Sequence, residues 1–364
     1  MMSDAPTTDN RRPKRSAASR ESSAISAEAS ASAAGLLVRL LALAVVVFGV
    51  LAGLVFVVPD GNDYPLATLG KHAWLANADR ERIVLVGGSN LAYGVVSKQL
   101  EQATGRHVSN MGMNGYLGVR FMLEEIKPAL RERDLVVIAL EYDSFVKTVE
   151  GHGKDLLMIA KTRPVAFGHL NLSQWLDVLS VIPYAAQKKA LRLVGDYYKS
   201  LKPTAHAHEQ AAEVPRSSTE IVASVETLGG FNRHGDLESH LGVDFPYERE
   251  EGLDLTSLGI DPEIIGLLHA FAREMNARRV PVVISYSPVM RSFYEKHAEI
   301  IAEIHRRITE GGVLAAPLPP EAFVFDEELF FDTVYHLNRV GRVRRTRKLV
   351  GSLGPFLDRA AALP

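Results

Sequence analysis

The pattern of apolar and polar positions divides the chain into a polar start, one long apolar run and a region of short alternating elements. Residues 1–34 are rich in Ser, Ala and Thr and show no apolar periodicity. Such a composition buries too little surface to offset its ordering entropy, so a disordered tail is expected. Gly35 to Val58 follows, with Arg39 its only charge and Leu40 to Val58 an unbroken apolar run of 19 residues. At about 1.5 Å of rise per residue, that run spans a hydrocarbon core of ~30 Å. A cleavable signal peptide is the alternative, but its apolar region is ~7–15 residues long and ends in small residues. This run is longer and ends in Phe56-Val57-Val58-Pro59. The reading is an uncleaved transmembrane anchor over 35–58 that places the chain in a lipid bilayer, followed by a linker over 59–79.

From Arg82 the periods shorten. Arg82–Gly88 is a buried, β-branched strand that meets a glycine turn, and the segment from Val95 reads as a helix ending at Gly105. His107–Gly115 is a second strand and loop, a helix follows from Gly118, and Leu135–Asp143 is a third strand. Leu172–Leu201 reads as helical, Pro262–Arg279 as a helix, Val280–Pro288 as a strand, and the segment from Val340 as a C-terminal helix. Strands alternating with helices predict a parallel sheet with crossover helices. The expectation is one α/β domain over 80–355, a three-layer α/β/α sandwich with an insertion at about 146–230.

Charge adds an orientation and removes some partners. Arg11, Arg12, Lys14, Arg15, Arg20 and Arg39 precede or enter the apolar run, while Asp60 and Asp63 follow it. The positive-inside rule then puts the N-terminus in the cytoplasm and the folded region outside. A formal net charge of −2 gives no basic excess for nucleic acid. The absence of cysteine excludes a thiolate nucleophile, a disulfide framework and Cys-ligated metal. His206 and His208 stand in a polar loop without a carboxylate at metal spacing, so no metal or other cofactor is expected. The basic run Arg339, Arg342, Arg344, Arg345, Arg347 and Lys348 reads as a solvated helix face.

Candidate chemistry lies in short segments far apart in the chain. Ser89, on the Gly87-Gly88-Ser89 turn after the first strand, is placed to be a nucleophile with backbone N–H groups around it. Asp332 and His336, in the segment DTVYHLN, supply a general base and its orienting carboxylate.

In order and spacing these segments resemble the SGNH (GDSL-like) hydrolase superfamily. Gly87-Gly88-Ser89 matches its first block with Gly88 in place of Asp, and Asn110 followed five residues later by Gly115 matches the second. The resemblance makes Ser89, His336 and Asp332 the triad, with Asn110 in support and the N–H groups of Ser89 and Gly115 as the oxyanion hole. The last block departs from D-x-x-H: Asp332 is one position early and Thr333 takes its place. A Ser–His dyad, or recruitment of Asp326, is therefore the alternative. The third block, LEYDSF, puts Asp143 where the family has its oxyanion Asn, and Asn232 is a substitute donor.

The anchor and the insertion resemble the DltD-like and alginate O-acetylation branches. That likeness implies an acyl donor, a carbohydrate acceptor at the cell surface and a membrane-bound O-acyltransferase as partner. Two functions remain open: a serine esterase or O-acyltransferase, and an inactive SGNH-like scaffold or binding component of polysaccharide assembly.

Overall fold

The structure, a computed structural model, describes residues 17–60, 63–201 and 217–362. The long helix α1 (Ala17–Val57) leads into α2 (Ala67–Ala76), β1 (Arg82–Gly87), α3 (Ser89–Gly94), α4 (Ser97–Thr104) and β2 (His107–Asn110). After α5 (Val119–Ile126) and β3 (Leu135–Ala139) come three helices, α6 (Gly153–Thr162), α7 (Leu172–Leu201) and α8 (Ser218–Val225). The chain closes with α9 (Leu255–Leu258), α10 (Pro262–Ala277), β4 (Val282–Ile284), β5 (Val289–Met290), α11 (Arg291–Thr309), β6 (Val324–Phe325) and α12 (Arg339–Ala362).

The four-stranded sheet is parallel throughout, in the order β2-β1-β3-β4. β5 and β6 form a separate parallel pair. Every residue of β1, β2, β3 and β4 is buried, although successive side chains point to opposite faces. Both faces of the sheet are therefore covered, as parallel strands joined by crossover helices require. α4 packs with α12, and α5 with α10. α4 stops at Gly105, whose φ of 69° gives the left-handed cap that glycine adopts without Cβ strain.

The anchor helix begins earlier than expected. Residues 1–16 of the expected disordered tail lie outside the described residues, but Ala17 onward is helical and continuous with the apolar run. Alanine is the best helix former, and extending an existing helix avoids the cost of nucleation. Ala33–Val57 has a mean hydropathy of 3.0 and is long and apolar enough to cross a membrane.

The expected linker is also folded from Tyr64 onward. Tyr64, Leu75 and Lys71 of its helical part are buried, and Lys71 Nζ donates to the carbonyls of Asn110 (2.9 Å), Gly112 (2.8 Å) and Gly235 (2.5 Å). This amine, enclosed by three carbonyls, pins α2 to the end of β2, so the folded region starts before residue 80.

Within the expected insertion, α7 packs on both α1 and α6. Lys189 Nζ donates to the carbonyls of Val55 (2.7 Å) and Val58, and Arg192 to that of Pro59. The last carbonyls of a helix lack intrahelical partners and carry the negative end of its dipole, so cations are favourable there. Asp60, paired with Lys161 and Lys189, completes the clamp.

Candidate active site

The strand order fixes where chemistry can sit. From β1 the chain runs out to β2 on one side, then returns to β3 on the other. At such a switch point a crevice opens beyond the carboxyl ends of the strands. Ser89 follows β1 there, and Leu140 and Glu141 follow β3.

Ser89 opens α3 and meets His336, which precedes α12, across 247 residues: its Oγ lies 2.8 Å from His336 Nε2. His336 Nδ1 lies 2.8 Å from Asp332 Oδ1. The extra residue in this block is absorbed by a turn in which Thr333 Oγ1 accepts the N–H groups of Tyr335 and His336. Asp332 is therefore the carboxylate on the imidazole, while the alternative Asp326 pairs with the exposed Arg291. The Tyr93 ring stacks on the His336 ring with 3.9 Å between centroids and 1° between planes.

Burial pushes the His336 pKa down, but the carboxylates of Asp332, Glu226 and Glu141 outweigh it, and the net shift is upward. Glu226 also accepts the Tyr93 hydroxyl at 3.1 Å.

The oxyanion side differs from expectation. Asp143 does not stand beside the serine: it accepts the Tyr335 hydroxyl at 2.6 Å and the Leu253 N–H at 3.3 Å. A tight turn starting at Tyr142 carries it to Tyr335 and Leu253. Glu141 takes the place instead. Its Oε1 accepts the Asn90 N–H at 2.8 Å and lies 3.4 Å from Ser89 Oγ, while Oε2 is buried without a hydrogen-bond partner. Glycine flanks this carboxylate on both sides. A side chain at Gly88 would collide with it, and a Cβ at Gly115 would sit 3.2 Å from Oε2. Gly115 thus borders the Glu141 carboxylate.

Asn110 and Asn232 lie behind the site. Asn110 donates to the Leu91 carbonyl and to Asp236 (both 2.8 Å), and its Oδ1 accepts the Gly112 N–H at 3.0 Å. It ties the turn after β2 to the helix that carries Ser89. Asn232 is a correction: its amide bonds Glu238 and Asp236, and its Oδ1 accepts the N–H groups of His234 and Asp236. Loop geometry commits it locally, and it does not line the cleft at Ser89.

The basic helix is a second correction. Arg342 and Arg345 are fully buried. Arg345 donates to the Asn90 carbonyl (2.7 Å), the Asn90 side chain (2.9 Å) and the Tyr286 carbonyl (3.3 Å). Burial lowers its pKa to about 9, with Glu141 opposing the shift. It fixes the residue whose N–H points at Glu141. Arg342 binds the carbonyls of Val95 and Leu237.

Above these groups lies an open cleft of about 880 Å³, its mouth included, lined by Ser89, Gly115, Tyr116, Glu141, Asp143 and His336 among others. Among the described residues no cluster of His, Asp or Glu is arranged to hold a metal ion, and His206 and His208 lie outside the described residues. No protein-family model matches this chain, and comparison with curated proteins gives no match. The shown architecture is thus an α/β protein with a parallel central sheet and one long apolar N-terminal helix.

Proposed function

We propose that this chain is a membrane-anchored serine acyl-transfer enzyme of the SGNH type, acting on a cell-surface polysaccharide or glycoconjugate. The observation that carries the reading is the Asp332–His336–Ser89 chain of contacts, 2.8 Å at each step, at the carboxyl end of β1. In this reading Ser89 Oγ attacks the donor's acyl carbon while His336 Nε2 takes its proton. The leaving group departs with that proton, leaving an acyl-serine. An acceptor hydroxyl, deprotonated in turn by His336, attacks the acyl-serine and restores the serine. Water as acceptor makes the enzyme an esterase, and a sugar hydroxyl makes it an O-acyltransferase. The apolar helix would hold the cleft at the outer face of the bilayer, beside a membrane-bound O-acyltransferase that supplies acyl groups.

The test is labelling of the full-length protein in detergent with a fluorophosphonate probe. Labelling is expected in the wild type and absent in Ser89→Ala. No labelling in the folded wild type, nor in folded variants that remove the Glu141 carboxylate beside Ser89, would remove the acyl-serine reading.

A second reading rests on Glu141. An anion held where a tetrahedral oxyanion would form is what an inactive scaffold could tolerate. Normal polymer modification in cells carrying Ser89→Ala would favour it. A reporter fused after Pro364 should be active only outside the cytoplasm, and a cytoplasmic signal would reverse the orientation.

A further inference from the structure

The Glu141 carboxylate is the least conventional group in the cleft. In the nucleophile elbow of α/β-hydrolases the N–H of the residue after the serine is an oxyanion donor, one that would here join the Ser89 and Gly115 N–H groups expected of the SGNH site. Here that N–H belongs to Asn90, and it is already bonded to Glu141 Oε1 at 2.8 Å. The same oxygen lies 3.4 Å from Ser89 Oγ, and Gly115 borders the other carboxylate oxygen. Glu141 thus puts a carboxylate oxygen where the oxyanion of an attacked acyl group would sit.

Hydrogen counting sharpens the point. Ser89 has one hydroxyl hydrogen and two neighbours that accept one, His336 Nε2 and Glu141 Oε1. Both contacts are hydrogen bonds together when Nε2 carries a proton and donates to Oγ, which then donates to Glu141, or when a protonated Glu141 donates to Oγ, which then donates to Nε2. Nδ1 meanwhile faces the Asp332 carboxylate. In either arrangement Glu141 shares the proton inventory of the Ser89–His336 pair. Several elements bear on this ring: Asp332 from its own loop, Glu226 from beyond α8, Glu141 from beyond β3 and Tyr93 from α3. His240, whose pKa burial pushes down to about 3, stays neutral beside Tyr93.

We propose that Glu141 decides which acyl groups react: its carboxylate holds the oxyanion position in the free protein, and an acyl carbonyl reaches Asn90 N–H only by displacing it. The proposal rests on the acyl-serine reading of the same site. A small activated ester that fills little of the cleft has nothing with which to displace the carboxylate, so it reacts slowly. A donor that occupies the cleft more fully supplies contacts that offset the displacement. Glu141 touches the reacting oxygen and is in that sense a catalytic residue, although its resting contact restrains the reaction.

The experiment compares wild type, Glu141→Gln, Glu141→Ala and Ser89→Ala, as full-length proteins in detergent. It measures fluorophosphonate labelling rate against pH, with a thermal unfolding midpoint for each. The glutamine is isosteric and removes the charge, and the alanine empties the pocket should the amide fail to fold. A folded Glu141→Gln or Glu141→Ala is expected to label ~10-fold faster or more, up to the ~10²–10³-fold that one oxyanion contact supplies. The pH at half-maximal rate should also fall, because one carboxylate that stabilises the imidazolium is gone. A glutamate that only packed the turn would lower that pH through its charge without raising the rate on the high-pH plateau. Unchanged or slower labelling in folded variants, with a wild type that labels at Ser89, overturns the proposal and leaves the acyl-serine reading standing. Absence of labelling in wild type and both variants overturns both.

Discussion

The two sides of the cleft follow opposite rules. On the base side, Asp332, His336 and Ser89 form a chain in which each contact is short and complementary, and Tyr93 stacks flat on the imidazole. On the oxyanion side a carboxylate is pressed among glycines, with one oxygen buried and unpartnered. A buried polar atom without a partner is costly, about 1–3 kcal/mol, and persists only where something else requires it. The base side is built to be stable as it stands. In the proposal above, the Glu141 side must rearrange in every turnover.

That contrast can be broken first at Asp332. Asp332→Asn keeps the shape but cannot hold the same protonation state of the ring, so labelling should fall ~10²–10⁴-fold. A loss below about threefold would show that the base side is not organised around this contact.

The pH dependence comes next. His336 is a base only when neutral, and its pKa is raised above 6.5. Activity should therefore be lost as pH falls through that raised value, at a higher pH than for an unperturbed imidazole, by ~10-fold per unit on the acid limb. A half-maximal rate below pH 6.5 would show that the surrounding carboxylates do not act on the ring as described.

Arg345 tests the support beneath the oxyanion side. Arg345→Met leaves the carbonyls of Asn90 and Tyr286 without this donor. At ~1–3 kcal/mol for an unsatisfied buried acceptor, unfolding should cost about 2 kcal/mol less than in wild type. Denaturant titration measures this, and an unchanged midpoint would show that Arg345 holds nothing in place.

The smallest effect is expected at Asp143. It bonds Tyr335 rather than the oxyanion position, so Asp143→Asn should leave the labelling rate within about threefold of wild type. A tenfold rise would restore the oxyanion role to Asp143 and erase the distinction from Glu141.

The base side was legible in the sequence and the oxyanion side was not, for a geometric reason. Ser89, Asp332 and His336 sit in short segments where neighbours along the chain fix the turn, so the residues themselves carry the signal. Glu141 and Asp143 lie two apart after the same strand, and alternation assigns both to one face. Only the point at which β3 gives way to a tight turn, at Tyr142, decides which of them meets Ser89. The buried arginines hid differently. A solvated basic run and a helix that buries its cations share one composition. The spacing Arg342, Arg345, Thr346, Leu349, Leu353 did trace a buried helical stripe. The folded segment after the anchor was missed because its tie to the domain, Lys71, bonds carbonyls distant in the chain.

The clamp on the last turn of α1 has a mechanical consequence. A domain on a loose tether of n residues wanders over a distance of about 5–6 Å × √n and meets partners at many heights and tilts. Here cations from α6 and α7 grip the carbonyls at the helix end directly, bypassing the connecting residues. The cleft is carried on a bracket rather than a leash. An acceptor chain would have to thread to one standoff distance from the end of that helix, and lengthening the connection between Asp60 and Tyr64 should not extend the reach.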